Sequence, residues 1–286
     1  MKTGIYKSVT NEQYHADPAI SSTKLKKLKD GTAQSFKYHL DNPEQLESEA
    51  LLRGSLLHAM LLEPDKYMDY FIIESMPLKD KTKLAKNGGS KEDWDKLKKW
   101  AEDEAKPLVK HDIFRDCMGM RKSVESHPFW INIANHGANE RSLFAEIDGV
   151  QVKARYDSLL DVSKIIDLKT SRNTLTTAGI QRTIADLGYH FSAAMYIEVG
   201  KALGLDITSF VWVFVESSAP YSCRFVEASD KMLDIGRNEF YKCLAKFKEC
   251  QESGIWAGHP LTIDKIDLPN WYANKEYLFE SELSNV

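Results

Sequence analysis

Lys164-Ile165-Ile166-Asp167-Leu168-Lys169-Thr170 is the stretch on which the reading of this chain turns. Its aliphatic, β-branched residues predict a strand, and the period of two puts Asp167 and Lys169 on one face with Ile166 and Leu168 on the other. Upstream, Leu143, Ala145 and Ile147 alternate with polar residues up to Asp148-Gly149, a two-residue hairpin signal, and Val152, Ala154 and Tyr156 alternate back. Asp157 then falls at the end of the second hairpin strand, on the face opposite those three. Downstream the periods predict helices at about 175–187 and 189–203, strands at 209–215 and 223–227, and a long helix over 230–252. Three strands, a helix pair, two strands and a helix describe a mixed α/β core with helices on its faces.

Before that core the chain reads as helical. Ser21-Ser22-Thr23 is a helix N-cap signature followed by Lys24, Leu25, Lys26, Lys27, Leu28 and Lys29, a short basic helix. Its lysines make either a solvated face or a face that tracks phosphates. A second helix, about 49–63, ends at Pro64 and carries His58 one turn beyond Gly54 and Ser55, whose small side chains would leave space beside the imidazole. His58 alone is either a satisfied core histidine or a ligand. Lysine and acid dominate 79–99 around Asn87-Gly88-Gly89-Ser90, a loop entering a charged helix, and a further helix is expected at 113–126. The expected organisation is one domain over 1–286, with an N-terminal helical part (1–63), a helical insertion (64–135) and a catalytic α/β core (139–256).

Composition excludes several classes. Of 286 residues 43% are apolar and 28% charged, ordinary for a globular protein and too apolar for disorder. No apolar run approaches the roughly 20 residues a bilayer requires, and Met1 to Tyr6 leads into polar sequence without an apolar signal region. A protein that neither spans a membrane nor is secreted by that route is expected, with a cytoplasmic location. The four cysteines form no Cys-x-x-Cys pair and read as reduced thiols. A net charge of −4 gives no whole-molecule attraction to nucleic acid, although a basic groove beside an acidic metal site would produce the same sum.

If the strands carrying Asp157 and Asp167 are neighbours, their carboxylates converge. Two buried acids repel and lose solvation, which a divalent cation relieves, and hard oxygen donors suit magnesium or manganese. Lys169 beside such an ion can orient a nucleophilic water and offset charge developing on a phosphate. The same acid-x-Lys tripeptide at Glu104-Ala105-Lys106 lies in a charged helix; strand context and the acid ten residues earlier set Asp167-Leu168-Lys169 apart. A metal-dependent nuclease, an ordinary surface ion pair and other metal chemistry all remain open on pattern alone.

Asp157 followed by Asp167-Leu168-Lys169 resembles the bipartite motif of the PD-(D/E)XK nuclease superfamily. The wider text resembles its RecE-like (exonuclease VIII) branch, related more distantly to RecB-type nuclease domains and lambda exonuclease. The similar pieces are Asn11-Glu12-Gln13-Tyr14-His15 with Ile20-Ser21-Ser22-Thr23-Lys24-Leu25, Gly54-Ser55-Leu56-Leu57-His58, Glu140-Arg141-Ser142, Lys153-Ala154-Arg155-Tyr156-Asp157, Ile166 to Thr170, and Gly188-Tyr189-His190 leading to Tyr196. The resemblance implies a restriction-endonuclease-like fold, with a central mixed sheet flanked by helices. It implies metal ligation by His58, Asp157, Asp167 and the Leu168 carbonyl, Lys169 as catalytic lysine, and an ancillary acid at Glu140. It also implies a Mg2+-dependent exonuclease, with Mn2+ able to substitute, that degrades the 5′ strand of linear double-stranded DNA to mononucleotides and leaves a 3′ tail. A ring-like homo-oligomer and a RecT-type single-strand annealing partner in phage-type recombination belong to the same implication.

Two positions depart from the branch: Ser192 replaces a glutamine four residues before Tyr196, and Tyr156 replaces a proline before Asp157. For DNA, Lys24, Lys26, Lys27 and Arg53 are candidates for phosphate contacts, and Tyr189, His190 and Tyr196 for stacking or hydrogen bonding, with core packing the other reading of Tyr189 and Tyr196. A structure-specific or endonucleolytic relative is the alternative within the enzyme class, and a degenerate DNA-binding module the alternative outside it.

Overall fold

The computed structural model describes residues 1–43, 48–73 and 91–269. Asn87-Gly88-Gly89-Ser90 and the loop before Lys91 lie outside the described residues. Strands are β1 (Gly4–Tyr6), β2 (Ile20–Ser21), β3 (Ile72–Ile73), β4 (Leu108–Val109), β5 (Ala138–Ile147), β6 (Val150–Leu160), β7 (Lys164–Ser171), β8 (Ser209–Glu216) and β9 (Cys223–Glu227). Helices are α1 (Asn11–Ala16), α2 (Ser22–Asp30), α3 (Ala33–Asp41), α4 (Glu49–Leu62), α5 (Tyr67–Tyr70), α6 (Lys91–Asp103), α7 (His111–Glu125), α8 (Pro128–His136), α9 (Thr177–Asp186), α10 (Tyr189–Ala202) and α11 (Asp230–Ser253). Among the described residues no helix is long and apolar enough to cross a membrane.

The main sheet runs β1-β5-β6-β7-β8-β9, with β2 joined to β6 and a separate β3–β4 pair. β5 and β6 form the expected hairpin, and Asp148 and Gly149 both have positive φ (51° and 81°), as a two-residue turn matching the strand twist requires. β7 and β8 are parallel, so the chain between them must cross a sheet face, and α9 and α10 do so. Along β8, Phe210, Trp212 and Phe214 face one helical layer and Val211, Val213 and Val215 the other, which explains its unbroken apolar run.

Helices α2, α10 and α11 cover the first face, placing Leu25, Phe191, Met195, Phe240 and Leu244 with Trp212 and Phe214. The second is covered by α4, α7 and α8, where Leu57, Met60, Cys117, Met120 and Trp130 meet Ile166, Leu168 and Val213. The stretch 64–135, expected as an insertion, thus supplies α7 and α8 to a covering layer. α8 itself was not anticipated: Pro128 begins it, and the His127 side chain accepts the Phe129 N–H at 3.2 Å.

The N-terminal part, expected as helical, also contributes two strands. β5 flanks β6 along one side, and β2 pairs with Val152–Lys153 on the other. β7 pairs with β6 only from Ser158–Ile166 to Leu160–Lys164. Beyond Ser158 the two strands therefore part, and β2 takes up the pairing further along. This gap in the ladder frames the site.

Two basic side chains fasten the N-terminal segment to β6. Buried Lys153 donates from Nζ to the carbonyls of Tyr14 and, at 2.7 Å, Asp17. Arg155 donates to the Val9 carbonyl and Ser142 Oγ, both at 2.9 Å, with its guanidinium 4.3 Å from the Tyr14 ring centroid. Tyr156 does for α10 what these do for α1: its hydroxyl donates to the Tyr196 carbonyl at 2.6 Å. A Cβ on Gly200 would lie 2.5 Å from that hydroxyl oxygen, so the helix comes this close only with glycine there.

Candidate metal centre

Where β6 and β7 separate, Asp157 Oδ2 accepts the Leu168 N–H at 2.7 Å, replacing the ladder bond that the splayed strands cannot make. From α4, His58 Nε2 lies 3.0 Å from the Leu168 carbonyl oxygen. Since a carbonyl only accepts, Nε2 carries the proton and donates, and Nδ1 lies 3.5 Å from Asp157 Oδ2. Glu140 completes the group, and one ligand atom from each of His58, Glu140 and Asp157 lies within 4.8 Å of the others. Glu140 sits opposite Asp157 between the pairs Asn139–Ser158 and Arg141–Tyr156, with φ at 50°, a left-handed backbone rare for a side chain of its size.

The donor set, two carboxyl groups and an imidazole nitrogen converging on one point, suits a divalent cation. Burial, reinforced by the charge of Asp157, pushes the Glu140 carboxyl up to about 8. The unfolded chain would release that proton near the ordinary value of 4.5, so without a cation stability falls as pH rises from there through about 8. A cation favours the ionised form and offsets the loss. The expected result is a thermal shift on adding Mg2+ or Mn2+ that grows from pH 6 to pH 8; a shift that shrinks over that window would contradict it.

Asp167 and Lys169 share a face of β7, as their spacing predicts, and Lys169 Nζ lies 2.5 Å from Asp167 Oδ2. Burial would depress the Lys169 ammonium, but Asp167 and Asp157 outweigh it and hold the group charged well beyond the ordinary lysine range. The Lys169 side chain is 25% exposed and that of His58 28%, against 9% for Asp167, so the cation and the imidazole face the opening while the acid lies beneath. The Tyr189 ring centroid is 5.3 Å from Lys169 Nζ.

The carboxylates expected to converge are thus divided between two partners, Asp157 with His58 and Glu140, Asp167 with Lys169. The Leu168 carbonyl, an implied ligand, meets His58 and lies 3.4 Å from Lys169 Nζ. Gly54 faces Thr170, where an added Cβ would make an ordinary 3.9 Å contact with Oγ1, so the space expected beside His58 does not depend on it.

The nucleic-acid candidates scatter. Lys24 is half-buried on α2, and Arg53 Nη2 lies 3.5 Å from Asp116 Oδ2. His190 is buried, with Nε2 2.9 Å from Glu239 Oε2 on α11. Tyr189 and Tyr196 border the site; burial raises the Tyr196 hydroxyl, with Asp167 and Asp157 adding to it, and Ser22 hydrogen-bonds to it. The sequence marks Ser22 only as part of the cap signature and the family-like stretch, with no sign of a role at the site. Ser21 fills the cap role by accepting the Lys24 N–H, which frees buried Ser22 to turn inward.

Residues 21–268 match the family described as "PDDEXK-like domain of unknown function (DUF3799)". No curated protein matches the chain. Among solved structures, a "putative exonuclease" from Eubacterium rectale superposes with a TM-score of 0.61 at 14% identity, covering 92% of this chain and 96% of that one, a likeness of fold. Rai1 of Scheffersomyces stipitis, with (3′-NADP)+ and calcium ion, gives a TM-score of only 0.28 at 12% identity over 85% of this chain and 74% of its own, too little to support an argument. With its mixed sheet, flanking helices and the motif on β6 and β7, the chain belongs to this PDDEXK-like family.

Proposed function

We propose that the protein is a divalent-cation-dependent exodeoxyribonuclease acting on linear double-stranded DNA. The observation that carries the proposal is the Asp167–Lys169 pair beside the His58–Glu140–Asp157 group in the opening between β6 and β7. His58, Asp157, Asp167, Glu140 and the Leu168 carbonyl are the groups that would hold the ion, Mg2+ with Mn2+ as substitute. When bound, the cation supplies Lewis-acid charge for a phosphate oxygen and an acidified water. Lys169, kept charged by two carboxylates, would orient an attacking water and offset negative charge on the phosphate as the water oxygen bonds to phosphorus, the ester P–O bond breaks and the water's proton ends on the leaving oxygen. Asp157 fixes the Leu168 peptide through its N–H, and His58 meets the same peptide unit at its carbonyl, so the carboxylate and imidazole are set before substrate arrives.

The resemblance to the RecE-like branch, together with the "putative exonuclease" description of the Eubacterium rectale neighbour, supports an exonuclease over other nucleases. It also supports resection of the 5′ strand to mononucleotides and a 3′ tail, a ring-like homo-oligomer, a RecT-type annealing partner and a cytoplasmic role in phage-type recombination. Acid-soluble nucleotide release from linear and covalently closed duplex, in Mg2+ and in EDTA, tests the reading. Release from linear DNA alone and only with metal is expected. Cutting of closed circles would replace it with an endonuclease, and DNA retention without turnover with a binding module.

A further inference from the structure

Lys26, on α2, is placed unlike the other lysines of its basic run. Its Nζ donates to the Leu187 carbonyl at 2.7 Å, at the turn that starts α10, and lies 5.8 Å from the Tyr189 ring centroid. Lys169 addresses the same ring, so one tyrosine carries two ammonium groups at the mouth of the opening. The turn is shaped for this side chain: Gly188 has φ 60°, and a Cβ there would lie 2.9 Å from Lys26 Cδ. Among the described residues no carboxylate lies within the 4.0 Å of an ion pair with Lys26. Burial, with the like charge of Lys169, lowers its ammonium below the ordinary range.

A half-buried ammonium beside another ammonium, with a backbone carbonyl as its polar partner, is costly in the free protein. An anion relieves both the lost solvation and the repulsion. Among the described residues one of the ammonium's three donors is committed, to the Leu187 carbonyl, leaving two for an incoming oxygen. Leu187 is 51% exposed, so this turn is open to solvent and an anion can approach across it. Asp167 and Asp30 favour the Lys26 charge from a distance but do not outweigh burial and Lys169, so an anion in direct contact would still relieve it.

We infer that Lys26 is a substrate-binding residue that holds a phosphate oxygen of the nucleic-acid strand next to the phosphate being cut. The inference rests on the nuclease reading and adds to it a contact that sets the position of the strand over Lys169. In EDTA, where no cleavage is expected, anisotropy of a labelled linear duplex across a salt series compares the full chain with its Lys26→Gln and Lys26→Arg variants. Lys26→Gln should bind about tenfold more weakly at low salt, with a log Kd against log salt slope smaller by about 1, the loss of one phosphate contact. Lys26→Arg should keep the slope. In Mg2+, Lys26→Gln should raise KM more than it lowers kcat, a split that a merely structural role would not produce. An unchanged slope in Lys26→Gln, with wild-type binding intact, overturns this inference alone; a wild-type chain that holds no duplex overturns the nuclease reading with it.

Discussion

Lys169→Ala is expected to lower the rate of DNA hydrolysis at saturating substrate and metal by about 10²–10³-fold, the usual cost of removing one preorganised charge from a transition state. The ammonium is held by Asp167 at 2.5 Å and by the field of Asp157, and reaches the opening beside Tyr189. Lys26 shares the Tyr189 ring but donates to the Leu187 carbonyl, whereas Lys169 is the ammonium paired with Asp167. Cation binding should survive the substitution, because His58, Glu140 and Asp157 meet without help from Lys169. Single-turnover rates with a parallel Mn2+ titration check both halves. Activity within tenfold of wild type would remove Lys169 from the chemistry, and joint loss of cation binding would show it to be structural.

Asp157→Asn separates charge from geometry. The amide oxygen can still accept the Leu168 N–H that Asp157 takes at 2.7 Å, so the splayed end of β6 should keep its shape. Its negative charge is gone, and cation affinity should fall by about a hundredfold or more, since even outer-shell changes cost 10- to 100-fold. Asp157→Ala should add a loss of about 1–3 kcal/mol in stability by leaving the Leu168 N–H unpaired in a partly buried setting. Calorimetric Mn2+ titration and denaturant unfolding of the two variants distinguish these effects. Equal cation affinity in wild type and Asp157→Asn would exclude Asp157 as a ligand.

The core strands were legible because their burial is written as alternation. Phe210, Trp212 and Phe214 against Val211, Val213 and Val215 look continuous in sequence and resolve into two faces only because helices cover both. The N-terminal additions were hidden by their shortness: β1 and β2 span three and two residues, too few for a period, and are strands only because β5 and β6 offer partners. α1 did leave a sign, since Thr10 and Gln13 form a capping box, both bonds at 3.1 Å. Strand period placed Asp167 with Lys169, but nothing in it tells that β6 and β7 part beyond Ser158. That divergence sets Asp157 against His58 and Glu140, and the left-handed φ of Glu140 is likewise invisible in a polar stretch of strand.

Anomalous diffraction from crystals soaked in Mn2+ tests the metal centre most directly. A peak flanked by His58, Glu140 and Asp157, in the opening between β6 and β7, is the predicted result. No peak there, or one held elsewhere while these three side chains keep their cation-free contacts, would contradict the account.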